Sequence, residues 1–146
     1  MKVVILTCNN YDWLVPIFLH FYKKYWPDKP YETEIITESN HLDGYVFYTK
    51  GVSWSSGILN YLKQSNDNKF LLLMEDYLIK GPVNTGRVQL AERLCEGNVG
   101  CVRLNAPDKY YNRYTVESGV KFYKEYPLDK PYSMSMQTAI WQKKYL

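Results

Sequence analysis

The sequence predicts an α/β fold, a mostly parallel central sheet flanked by helices and closed by a short antiparallel C-terminal part. Three observations predict it. The runs VVIL and FLLLM are unbroken and apolar, as expected of strands covered on both faces. Stretches with apolar residues at helical spacing separate strand-like runs, giving the order β-α-β-β-α-β-α-β. In the last forty residues, VKFYKEYPL changes to the alternation of an antiparallel strand.

The elements follow in order. Val3 to Thr7 is the first strand and CNNY the turn after it. From Asp12, apolar residues at Leu14, Ile17, Phe18, Phe21, Tyr22 and Tyr25 trace one face of a helix. Asn10 or Asp12 would cap it, Pro16 falls in its first turn or so, and WPDKP stops it. ETEIITES and GYVFYT are the next two strands; SWSSGILNYLKQS is a helix capped by Ser53 or Ser55. KFLLLME is the following strand, TGRVQLAERLCEG a helix ending at Gly97, and VGCVRLN another buried strand. YSMSMQTAIWQKKYL reads as a strand running into the start of a helix. No linker, repeat or low-complexity segment interrupts the chain, so residues 1–146 are expected to form one domain.

Composition narrows the function. At 146 residues, 46% hydrophobic and 23% charged, the chain can bury one core. A net charge of +3 without a dense Lys/Arg run argues against nucleic acid while permitting a diphosphate. Cys8, Cys95 and Cys101 make no metal-binding spacing; an odd number, two in core segments, fits reduced thiols and a cytoplasmic location, in a host cell if the protein is viral. The N-terminal apolar run is too short for a signal peptide, and no segment approaches a membrane span.

In open parallel sheets, ligands bind beyond the carboxyl ends of the strands. Four strand ends therefore draw interest. At TCNNYDW, Thr7, Asn9 and Asn10 offer polar groups and Tyr11 a ring to stack on a base; a plain capped turn is the competing reading. No GxGxxG dinucleotide fingerprint is present. At TESN, Glu38 is either a solvated acid or an acceptor for a base imide or ribose hydroxyl. At YTKGVSWSSG, Lys50 would offset phosphate charge, and Ser55 and Ser56 sit at a helix N-terminus that favours anions. Trp54 there is a packing residue or a ligand platform. The fourth is KFLLLMEDYLIKGP, where the most apolar strand ends on Glu75 and Asp76. Adjacent strand residues point to opposite faces, so the pair meets one ion only if the chain bends there. A hard cation such as Mg²⁺ or Mn²⁺ takes one or two carboxylates, with diphosphate oxygens and water completing its shell.

With these pieces in order, the chain resembles the GT-A-type glycosyltransferases, whose fold is Rossmann-like. VVILTCNNYDWL matches as the nucleotide-binding first βα unit, WSSGILNYL as the helix before the metal strand, and FLLLMEDYLI as a variant of the DxD region. SMSMQTAIWQKKYL resembles the later segment bordering the acceptor. The resemblance covers nearly the whole chain as an order of elements. It implies a nucleoside diphosphate sugar donor, UDP-linked in expectation, an unidentified hydroxyl acceptor, and Mn²⁺ or Mg²⁺. It assigns the nucleoside to Thr7, Asn9, Asn10 and Tyr11, the base or ribose to Glu38, and the donor border to Trp54, Ser55 and Ser56. Asp76 takes the metal and Glu75 supports it, with the two exchangeable; Gln137 and Trp141 fall on the acceptor side, although Trp141 also reads as core.

Two departures from the family pattern stand out. Tyr77 replaces its last acid, and the only histidines, His20 and His41, come too early to serve the metal. A third gap lies at the C-terminus. Inverting members carry a general base on a helix beyond TAIWQKKYL, so the acceptor-binding half reads as reduced. Of the late acids, Glu117, Glu125 and Asp129, none is singled out as the base. The alternatives are a nucleotide-sugar-binding module or donor hydrolase without transfer, and a flavodoxin-like or nucleotidyltransferase-like domain. YYNRYTVESG, with Arg113, is an acceptor loop or a hairpin turn, and a homo-oligomer would be one way to supply what is missing.

Overall fold

The apolar runs form the middle of a six-stranded sheet, in the order β3-β2-β1-β4-β8-β5. The computed structural model describes residues 1–38, 46–49, 51–105, 116–117, 124–127, 129 and 136–146. The strands are β1 (Lys2–Leu6), β2 (Thr33–Thr37), β3 (Val46–Tyr48), β4 (Lys69–Met74), β5 (Cys101–Arg103) and β8 (Ala139–Gln142). β1 pairs in parallel with β2 and β4, and β2 with β3; β8 alone runs the other way, between β4 and β5. A separate ladder joins β6 (Val116–Glu117) to β7 (Lys124–Glu125).

Strand alternation divides the core in two. Val3, Ile5, Ile35, Leu71 and Leu73 face one way, onto Phe18, Tyr22, Val88 and Ala91 of α1 (Val15–Tyr25) and α3 (Thr85–Leu94). Val4, Leu6, Ile36, Phe70 and Leu72 face the other way, onto Ile58, Tyr61 and Leu62 of α2 (Trp54–Gln64). Helices thus cover both faces, which is why β1 and β4 carry no polar alternation.

Two local expectations change. Asp12–Leu14 is a 3₁₀ turn and α1 begins at Val15, with no side-chain cap from Asn10 or Asp12. Pro16 in the first turn lacks the N–H that a cap would otherwise satisfy. Helix α3 is capped by the Asn84 side chain and ends at Leu94, short of Gly97. Its C-cap, Cys95, is drawn into the core, where the thiol donates to the Ile140 carbonyl at 3.4 Å. The C-terminal strand, β8, sits inside the sheet and leads into a 3₁₀ turn, Lys143–Tyr145.

Helix α2 is seated by contact. Ser53 is its cap, accepting from the Ser56 N–H. A Cβ on Gly57 would lie 2.6 Å from Thr49 Cγ2 and 2.8 Å from Thr49 Cβ, and Thr49 is itself buried. Alanine gains about 1 kcal/mol of helix propensity over glycine, but neither a β-branched side chain nor its strand end yields easily. Gly57→Ala is expected to be net destabilising by about 1–2 kcal/mol, read as a lower urea midpoint. An unchanged or raised midpoint would show that α2 shifts freely over Thr49.

A polar network crosses the edge of the second core layer. Lys2 and the Tyr61 hydroxyl both donate to Glu34. Burial alone would raise the Glu34 carboxyl, but the two donors outweigh it and hold it below its usual range. Lys2 is raised, chiefly by Glu34, and Tyr61 is raised by burial and then by Glu34. The depressed acid adds stability above its unfolded pKa, lost as pH falls through the folded value. The raised Lys2 and Tyr61 act oppositely, losing their contribution as pH rises through their folded values. Wild type is therefore expected to lose up to about 1 kcal/mol more than Glu34→Gln between neutral pH and pH ~3, after allowing for solvent screening. Parallel urea midpoints for the two proteins across that range would contradict it.

Candidate functional site at the carboxyl edge of the sheet

The register fixes what meets at the carboxyl edge. Leu6 lies opposite both Ile36 and Met74, so the residues just beyond, Thr7 and Glu75, are neighbours on adjacent strands. Thr7 continues the parity of Val3 and Ile5, and Glu75 that of Leu71 and Leu73. Both are buried, and the Thr7 N–H donates to the Ile36 carbonyl at 3.0 Å. Immediately afterwards the chain turns: the Tyr77 N–H closes onto the Met74 carbonyl at 3.1 Å. The bend does not bring the two acids to the same side. Glu75 goes in, at 5% exposure, while Asp76 and Tyr77 go out.

Burial raises the Glu75 carboxyl above its usual range, and the Asp76 charge adds to the rise. Its own backbone N–H and the Thr7 hydroxyl pull the other way without overcoming it. Glu75 Oε2 is buried with no hydrogen-bond partner among the described residues. A buried oxygen in that state is costly unless a ligand hydroxyl, an N–H or a cation meets it.

The other predicted residues follow the ends of β1, β2 and β3 or precede β8. Asn9, Asn10 and Tyr11 are exposed in the β1–α1 connection, and Glu38 is half-buried just after β2. Ser55 is exposed, Ser56 half-buried and Trp54 36% exposed in the first turn of α2. That turn follows β3, whose end is tied to β2 by the Thr49 N–H bonding the Thr37 carbonyl. Gln137 is half-buried two residues before β8, whose antiparallel run starts at this same edge. Lys50 and Arg113 lie outside the described residues. Among the late acids, Glu117 and Glu125 belong to the separate ladder and Asp129 is exposed.

Trp141 is a correction. It lies opposite Phe70 and Cys101, near the amino end of β4, and is 2% exposed within the second core layer. Its indole is core packing and cannot border an acceptor at the other end of the strand.

One feature was missed. An open cleft of about 340 Å³ is lined by Asp76, Tyr77, Leu78, Ile79, Lys80, Asn105 and Thr138. It adjoins Asp76 on the β8 and β5 side, away from Thr7 to Tyr11. Asn105 Oδ1 is buried there without a partner among the described residues. The signal was available, since Asn105 ends VGCVRLN and the same strand-end rule applies to it.

Oxygen donors at a turn suit a hard cation. Among the described residues, however, no group of three or more His, Cys, Asp or Glu could hold a metal ion. The set fits a cation shared with ligand phosphates, and does not fit one caged by protein alone. No helix among the described residues is long and apolar enough to cross a membrane.

No protein-family model and no curated protein matches the chain. Among solved structures, it is similar to the galactosyltransferase LgtC in complex with donor and acceptor sugar analogs, at TM-score 0.50 and 12% identity. The alignment covers 99% of this chain and 59% of that one. An active-site mutant of LgtC matches at TM-score 0.48 and 12% identity, over 99% of this chain and 58% of that one. At this identity the likeness is one of fold, and this chain spans about three-fifths of that enzyme's length. The chain has a GT-A-like mixed α/β fold.

Proposed function

We propose that the chain binds a nucleoside diphosphate sugar, with UDP as the nucleotide, and transfers the sugar to an acceptor hydroxyl. The observation that carries the reading is the Thr7–Glu75–Asp76 arrangement: two strand ends side by side, a turn, and a buried carboxyl oxygen with no partner among the described residues. The GT-A-like fold is consistent with it.

In this reading Asp76 holds Mn²⁺ or Mg²⁺ together with the donor diphosphate, and Glu75 supports that site from beneath. When bound, the cation neutralises charge developing on the leaving diphosphate. Thr7, Asn9, Asn10 and Tyr11 hold the nucleoside, and Glu38 accepts from the base or ribose. Ser55, Ser56 and Trp54 border the donor, the serines from a helix N-terminus that favours anions. Lys50 offsets phosphate charge. The cleft from Asp76 to Thr138, with Gln137 beside it, receives the acceptor.

The test is calorimetry of UDP binding with and without Mn²⁺, followed by turnover of UDP-sugars. Tight binding only when UDP and Mn²⁺ are both present supports the reading; UDP affinity indifferent to Mn²⁺ overturns it. A second reading is a binding module or donor hydrolase, in which the same strand-end residues hold the donor without passing its sugar to an acceptor. Release of free sugar with no glycosylated product, across a broad acceptor panel, would select it.

A further inference from the structure

The exposed side of α1 is apolar where a solvent-facing helix surface is normally polar. Trp13 in the preceding turn is 62% exposed and Ile17 is 42% exposed; Phe21 continues the row, half-buried. Ile17 and Phe21, four apart, lie on one side of the helix, and Trp13 precedes them in the 3₁₀ turn. Val15, Phe18 and Tyr22 take the opposite side, inside the core. The row is built from stiff parts: Phe21 stacks on Tyr25 with ring centres 6.1 Å apart, and His20 meets Phe21 edge-on at 5.3 Å.

The charge on the helix has one sign. Lys23 and Lys24 are exposed in the last turn, with Lys24 Nζ 5.2 Å from the Tyr25 ring centre. Helix α1 itself, VPIFLHFYKKY, contains no carboxylate; the nearest acids in sequence, Asp12 and Asp28, flank it. Tyr11, 53% exposed, extends the aromatic strip to the β1–α1 connection.

This combination selects among occupants. A second copy packed symmetrically would pair two patches of the same net positive charge, lysines included. An anionic surface neutralises them instead. Exposed Trp and aliphatic side chains with lysines beside them are the composition of helices that lie in a bilayer interface, where the rings sit at headgroup level. We propose that the exposed part of α1, with Ile17, Phe21, Lys23 and Lys24, together with Trp13 of the turn before it, docks reversibly on an anionic lipid bilayer. The proposal does not rest on the sugar-transfer reading.

Sedimentation with vesicles of phosphatidylcholine, with and without phosphatidylserine, tests it on the full chain. Binding is expected only with phosphatidylserine and is expected to fall as salt screens the charges. Lys23→Gln and Lys24→Gln should each weaken it about fivefold, and Ile17→Ser about tenfold. Binding should shift the tryptophan emission to the blue in wild type and not in Trp13→Phe. These positions are exposed, so urea midpoints should stay at the wild-type value, and UDP affinity of the lysine variants should be unaltered. No binding to phosphatidylserine vesicles, or equal binding to both compositions, overturns the proposal. So does binding that the substitutions leave intact. Self-association lost in Trp13→Phe would reassign the face to a second copy.

Discussion

Asp76→Ala is expected to remove the cation-dependent part of UDP binding while leaving the fold intact. Asp76 stands exposed on the turn that closes from Tyr77 to Met74, and its backbone, not its side chain, makes that closure. Surface changes away from packing cost within about 0.5 kcal/mol, so the urea midpoint should stay put. Binding is another matter. Loss of groups that merely support metal ligands costs about 10–100-fold, and a direct ligand should cost at least the upper figure, on the order of 3 kcal/mol. Calorimetry with UDP and Mn²⁺ reads the difference. Glu75→Gln separates the roles of the two acids. It keeps the volume of a side chain that burial already pushes towards its neutral form, so it should unfold near the wild-type midpoint. If Asp76→Ala retains the Mn²⁺ effect and Glu75→Gln loses it, the assignments exchange. If both retain it, the acid pair is an ordinary strand end.

The strands that build this site were legible for a physical reason. Val3 to Leu6 and Phe70 to Leu73 are buried from both sides, so each carries an unbroken apolar signal, and the acids beyond the second run mark where it stops. Ser53 was legible as a cap because its hydroxyl does the work of a missing carbonyl for the Ser56 N–H. What pattern cannot carry is partnership. AIWQ is four residues long, and nothing in it says that it inserts between β4 and β5 rather than extending an edge. Trp141 was ambiguous for the same reason, since its burial depends on Phe70 and Cys101, 71 and 40 positions earlier in the chain. The inward turn of Glu75 likewise depends on the space left beside Thr7, a property of two strands and not of one.

Phe70→Ala carries the largest expected loss of stability. Phe70 is fully buried at the amino half of β4, opposite Trp141 and edge-on to Tyr61 with ring centres 5.8 Å apart. It therefore touches the sheet on one side and α2 on the other. Truncation removes the transfer energy of the ring and leaves a cavity that the two remaining aromatic side chains, held by strand and helix, fill only in part. The expected cost is about 3–5 kcal/mol, a large share of the ~5–15 kcal/mol typical of a folded protein. It should appear as a urea midpoint lower by about 1 M or more with an unchanged slope. Phe70→Leu, which keeps most of the volume, should cost clearly less. The site should not share the damage. At about 3.3 Å per residue, Met74 lies some 13 Å along the strand from Phe70, so the folded fraction should retain wild-type UDP and Mn²⁺ affinity at low temperature. If affinity falls with stability, the carboxyl-edge geometry depends on the packing of Tyr61, Phe70 and Trp141, and the site and the core layer under α2 are one mechanical unit.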